Sequence, residues 1–228
     1  MTFKTLFSLK IKDIIFLLFS YIIIITLGII FKVNIIATIS SLFGMTAVIY
    51  NSEGKKICFI FYIIHTTLYA LQAFNSKLYG ELIIYLVYLT PLYLISLIKF
   101  IKGNKEQTNN EINFIKTKTL IIIIFLICII TIGYGFVLKE LNSNLPFLNS
   151  LLTALTITCG FLTAKRYYNQ WFFWLSLCVV AITTWSLTLS KDDMSGLAFV
   201  IQNSLCIILN INGLLSWNKM IKNTIKNS

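Results

Sequence analysis

Residues 62–93 read YIIHTTLYALQAFNSKLYGELIIYLVYLTPLY, two apolar runs parted by the short polar break Asn75-Ser76-Lys77. Residues 151–177, LLTALTITCGFLTAKRYYNQWFFWLSL, repeat that order, with Lys165-Arg166 supplying the break. Neither run alternates apolar and polar with period two, so both predict helices rather than strands of a barrel. Working outward, the same pattern of three apolar segments and two basic or turn-rich breaks fills residues 40–101 and again 153–217. A separate apolar segment lies between them, and duplication of a membrane unit is the usual construction of a carrier.

Composition agrees with a bilayer as solvent. The 228 residues are 57% hydrophobic and 12% charged, with mean hydropathy +0.84, whereas a water-soluble domain carries about 25% charged residues. Eight apolar runs approach the roughly 20 residues needed to cross: 14–31, 34–50, 57–74, 82–101, 120–138, 147–164, 171–189 and 196–217. The expected fold is therefore an all-α membrane protein of eight transmembrane helices. The first run follows Lys10 and Lys12 as a signal peptide would, but no small-residue cleavage site follows it, so it is expected to be retained. The expected organisation is an extra N-terminal helix (1–32), a first three-helix repeat (33–102), a polar loop and linker helix (103–140), and a second three-helix repeat with a tail (141–228). The repeats are four helices apart, an even number, which makes them parallel. The stretch 103–111 (GNKEQTNNE) is the one linker-like polar segment.

With eight spans, both ends and three alternate loops share one side. That side holds 15 of the 19 basic residues; only Lys32, Lys77, Lys139 and Lys191 lie on the other. Such a bias places both termini in the cytoplasm. It also accounts for the net charge of +11 without any nucleic-acid partner. The five cysteines, Cys58, Cys128, Cys159, Cys178 and Cys206, all lie in apolar runs without metal-ligand spacing, so neither a disulfide, a metal nor a cofactor is expected. One histidine and no H-E-x-x-H motif make an enzyme a poor reading.

A shift of 113 residues superposes Phe61 on Trp174 and His65 on Cys178, and three further residues bring Gly80 onto Gly196. The stretches 62–93 and 151–177, with the basic pair, the Gln170-Trp171 step and Trp174, resemble the nicotinamide riboside transporter (PnuC) family. The resemblance covers helices two to eight. It implies a SWEET-like fold of three plus one plus three helices, a homotrimer, and a bacterial cytoplasmic-membrane location. It also implies facilitated diffusion of a vitamin-like or nucleoside-like solute, trapped inside by phosphorylation. Relatives carrying thiamine, riboflavin or deoxynucleosides stand as alternatives, and a non-transporting receptor or scaffold as one from another class. The family carries Asn where this chain has His65, and again where it has Cys178.

Helical spacing groups the polar and aromatic residues of each span. Phe61, His65, Tyr69 and Gln72 share a stripe, as do Trp174, Cys178 and Trp185; Tyr85 and Tyr88 lie on the fourth span, and Gln202, Asn203 and Asn210 on the last. An unpaired amide in hydrocarbon costs several kcal/mol, so these stripes face protein or a water-filled cavity. They form the candidate substrate-binding set, with aromatic faces for a heterocycle and amides for sugar hydroxyls. Helix-to-helix hydrogen bonding is the alternative use of each amide. His65 is either a substrate contact or a neutral residue satisfied by Thr66 or Tyr69. Trp217 is expected to anchor at the interface, Pro91 to kink its helix, and Glu81 to sit at a span edge. With no carboxylate deep in a span, the simplest mechanism is uniport by rocking of the two units.

Overall fold

The computed structural model describes residues 8–102, 112–190 and 193–227, with side chains described as far as 222. Lys191 and the 103–111 linker read from sequence lie outside the described residues. The chain is helical: α1 (Ile11–Ile30), α2 (Ile35–Ser52), α3 (Cys58–Asn75), α4 (Tyr79–Ile101), α5 (Thr117–Glu140), α6 (Pro146–Ala164), α7 (Gln170–Thr188) and α8 (Gly196–Asn227). Seven of these eight are long and apolar enough to span a membrane. The exception is α3, which carries His65, Thr66, Thr67 and Gln72 on a helix of ordinary spanning length. Polar groups concentrated on one helix mark it as lining something other than lipid.

Short turns join α2 to α3 and α6 to α7. At the end of α2 the amides of Gly54 and Lys55 bond back to the carbonyls of Asn51 and Tyr50; at the end of α6 those of Arg166 and Tyr167 bond back to Thr163 and Leu162. These are paired C-terminal closures that need one left-handed residue. Gly54 supplies it at φ 70° and Arg166, with a side chain, at φ 56°. Inside α4 the residues Tyr85–Leu89 form a π-helical turn just ahead of Pro91. Proline has no N–H to give the preceding turn, and the widened turn lies where that hydrogen bond is missing.

Helices α2, α3 and α4 pack together, as do α6, α7 and α8, and the two groups close on one another through α2 against α8 and α4 against α6. The remaining two helices lie outside: α1 leans on α2 and α8, and α5 packs on α6. Both present long exposed apolar faces, for example Ile15, Phe19 and Ile22 on α1 and Ile122, Phe125 and Ile129 on α5. Such faces suit hydrocarbon and would be costly in water. Before α5, Asn113 pairs with Tyr167 in an isolated bridge that ties this segment to the α6–α7 turn.

Candidate functional site

At the centre of the two helix groups is a cavity of about 40 Å³, bordered by α2, α3, α4, α6, α7 and α8. α2 contributes Gly44 and Val48. From α3 come Tyr62, His65, Thr66 and Tyr69, and from α4 Tyr85, Leu89 and Tyr93. The second group adds Leu152, Trp174, Leu177, Cys178, Ala181, Gln202, Asn203, Cys206 and Asn210. No Lys, Arg, Asp or Glu is among them.

Eight of the twelve residues expected at the site therefore meet there: His65, Tyr69, Tyr85, Trp174, Cys178, Gln202, Asn203 and Asn210. The other four lie around it. Phe61 stacks on Tyr50 at 5.3 Å, facing α2. A spacing of four residues drifts by about 40° per step on a 3.6-residue helix, so a 61, 65, 69 stripe winds off the face. The face that lines the cavity is 62, 65, 66 and 69. Gln72 lies one turn beyond, near Ser76. Tyr88 turns its hydroxyl to the Ile157 carbonyl at 3.3 Å. Trp185 stands behind the wall, its indole N–H donating to the Tyr69 hydroxyl at 2.8 Å. Tyr62, Thr66, Leu89 and Tyr93 were missed, because an apolar or hydroxyl side chain on a hydrophobic helix carries no signal of which neighbour it meets.

Aromatic rings form two walls. Trp174 lies nearly parallel to Tyr62 with centroids 6.3 Å apart, and Tyr62 stacks on Tyr93 at 4.8 Å. Opposite them, Tyr69 stacks on Tyr85 at 4.1 Å and meets Trp185 edge-on. Polar atoms project between the walls. The amide N–H of Asn203 donates to the Phe199 carbonyl at 2.8 Å and that of Asn210 to Cys178 Sγ at 3.3 Å. Gln202 Oε1 and Asn210 Oδ1 are buried without a partner. Both belong to residues that line the cavity. Gly44 keeps the crowding possible: a Cβ there would press on Gln202 Nε2 and His65 Nδ1.

Hydrogen bonds tie helices together on either side of the cavity. At the end carrying the α2–α3 and α6–α7 turns, Gln170 Oε1 accepts from Asn51 Nδ2 at 3.3 Å and from Thr163 Oγ1 at 2.8 Å, while Trp174 Nε1 donates to Thr163 Oγ1 at 3.0 Å. Further out, Arg166 Nη1 donates to the Gly54 carbonyl at 3.0 Å and its guanidinium covers Trp217 at 5.2 Å. Burial pushes the Arg166 guanidinium below its ordinary range, and burial with Arg166 nearby does the same to the Lys56 ammonium. Trp217 is thus fully buried, edge-on to Trp171, rather than anchored at an interface. At the opposite end Thr153 Oγ1 donates to Glu81 Oε1 at 3.2 Å. Glu81, expected at a span edge, has no exposed surface at all. It opens α4 at the seam with α6, and the fold on its other side covers it. Among the described residues no three His, Cys, Asp or Glu gather as metal ligands would.

The comparisons with known proteins bear on this arrangement. The family described as Nicotinamide mononucleotide transporter matches residues 34–219. A protein of Neisseria mucosa named nicotinamide riboside transporter PnuC is 24% identical over 192 residues, covering 82% of this chain and 73% of its own. One of Haemophilus influenzae with the same name is 24% identical over 192 residues, covering 83% and 81%. A solved structure titled as that of the vitamin B3 transporter PnuC superposes with a TM-score of 0.79 at 20% identity, over 95% of this chain and 94% of that one. The resemblance read from residues 62–93 and 151–177 therefore holds, and the chain is a multi-pass membrane protein of the PnuC transporter family.

Proposed function

We propose that the protein takes up nicotinamide riboside across the bacterial cytoplasmic membrane by facilitated diffusion, with phosphorylation inside the cell keeping the gradient inward. The observation that carries this reading is the central cavity with aromatic walls, two unpartnered amide oxygens and no charged side chain. A pyridinium gains about 0.5 to 2 kcal/mol from each good aromatic face, and the free oxygens accept from the ligand's N–H and O–H groups. The lining also favours a riboside over a mononucleotide. A phosphate would be buried opposite no Lys or Arg, an uncompensated charge of high cost.

A cavity of about 40 Å³ holds two or three waters, whereas sites for ligands of this size run to roughly 300 Å³ or more. Loading therefore requires one end to open. In this reading α2–α4 and α6–α8 are parallel repeats that rock on one another. Gly54 and Arg166, the left-handed residues of the two turns, are 112 positions apart, as are Cys58 and Gln170, which open α3 and α7. On that offset Tyr62 matches Trp174, its stacking partner, and Thr66 matches Cys178; the 113 offset read from sequence differs by one. The turn end is cytoplasmic by its lysines, and three copies assemble in the membrane, with the exposed face of α5 free for lipid or a neighbour.

Purified protein in liposomes tests the reading. Radiolabelled nicotinamide riboside is expected to enter saturably, to show counterflow, and to ignore protonophores. Accumulation is expected only with a riboside kinase and ATP inside. Because Glu81 is a buried carboxylate, the protonophore arm is a real risk to uniport: abolished uptake there would sink it. Thiamine, riboflavin and deoxynucleosides serve as competitors, and preferential uptake of any one of them would replace the riboside.

A further inference from the structure

We infer that His65 makes this site select a primary carboxamide and reject a carboxylate, because its ring is held in the tautomer that shows the ligand only a lone pair. The inference rests on the riboside reading and names the part of the pyridine ring that the site recognises.

His65 Nδ1 lies 2.9 Å from the carbonyl oxygen of Ser40. A carbonyl oxygen can only accept, so Nδ1 carries the proton and the Nε2 of the neutral ring is an acceptor. Ser40 holds this arrangement from two directions: its hydroxyl also lies 3.1 Å from Nδ1 and donates to the His65 carbonyl at 3.2 Å. The tie joins α2 to α3 and prevents the ring from swinging. No carboxylate lines the cavity to stabilise an imidazolium, and among the described residues none hydrogen-bonds to Nε2.

Gln202 Oε1 and Asn210 Oδ1 join it as unpartnered acceptors. One amide N–H of Asn203 is committed to the Phe199 carbonyl and one of Asn210 to Cys178 Sγ, and no guanidinium or ammonium lines the cavity to answer a carboxylate. A carboxamide brings two N–H donors to such a lining. A carboxylate brings only lone pairs and a charge, with no cation to meet it. Sites built around one hydrogen-bonding sense reject the opposite sense strongly.

Isothermal titration of the purified protein with nicotinamide riboside and with nicotinic acid riboside tests this. The amide is expected to bind at least about 100-fold more tightly. His65→Asn, which offers a donor beside an acceptor, is expected to narrow that ratio about tenfold while amide binding persists. His65→Gln, monitored alongside by thermal unfolding, supplies the same comparison should the Asn variant not fold. Equal affinity for the two ribosides in the wild type overturns the inference and leaves the riboside reading standing. An undiminished ratio in both variants overturns the role of His65. Binding of neither riboside overturns the riboside reading and this inference with it.

Discussion

At the residue scale, the site depends as much on what is missing as on what is present. Gly44 is an unremarkable glycine in the sequence, yet it is the point where α2 gives way to Gln202 and His65. Gly44→Ala is expected to push the Gln202 amide into the cavity and weaken riboside binding by about tenfold, with a stability loss of roughly 1 to 3 kcal/mol for overpacking. Titration calorimetry and thermal unfolding on the same preparation separate the two effects. His65, Tyr69, Trp174 and the amides of α8 were legible as residues of the central cavity because a polar or aromatic group in a spanning helix has few other uses. Phe61, Gln72, Tyr88 and Trp185 share those side-chain types but face neighbours instead. Residue type cannot separate the two groups; a rotation of 40° to 80° about a helix axis does.

At the scale of elements, the eight helices were legible, seven of them as apolar enough to span a membrane, since length and apolar content are written locally. The turn between α6 and α7 shows what local reading leaves out. Arg166 looks like one of many positive-inside residues, yet it takes a left-handed conformation and crosses to the Gly54 carbonyl of the other helix group. Arg166→Ala is expected to lose that charged hydrogen bond and the contact with Trp217, lowering stability by about 1.5 to 3 kcal/mol. Arg166→Lys keeps the charge without the flat fork and is expected to recover less than half of it. Denaturation of the solubilised protein, followed by tryptophan fluorescence, reads both. A neutral result for Arg166→Ala would mean that the two turns are held by Asn51, Gln170 and Thr163 alone.

For the whole molecule, orientation and opening are the quantities to measure. A maleimide that cannot cross the membrane is expected to label Asn144→Cys, in the α5–α6 turn, on intact cells, and Lys165→Cys only after permeabilisation; the native cysteines are replaced by serine in both. The reverse pattern would invert the assignment of the termini. The sequence by itself determined the class, the spans, the charge asymmetry and the family, because each depends on composition or short-range order along one chain. Only the tertiary structure decided that α3 and α8 meet at Gly44, that Glu81 is sealed behind Thr153, and that Trp217 is buried under Arg166. The pairings Arg166–Trp217, Glu81–Thr153 and Gly44–Gln202 join residues 51, 72 and 158 positions apart. Their geometry follows from helix rotation and crossing, which an apolar sequence facing lipid on one side and protein on the other leaves unspecified.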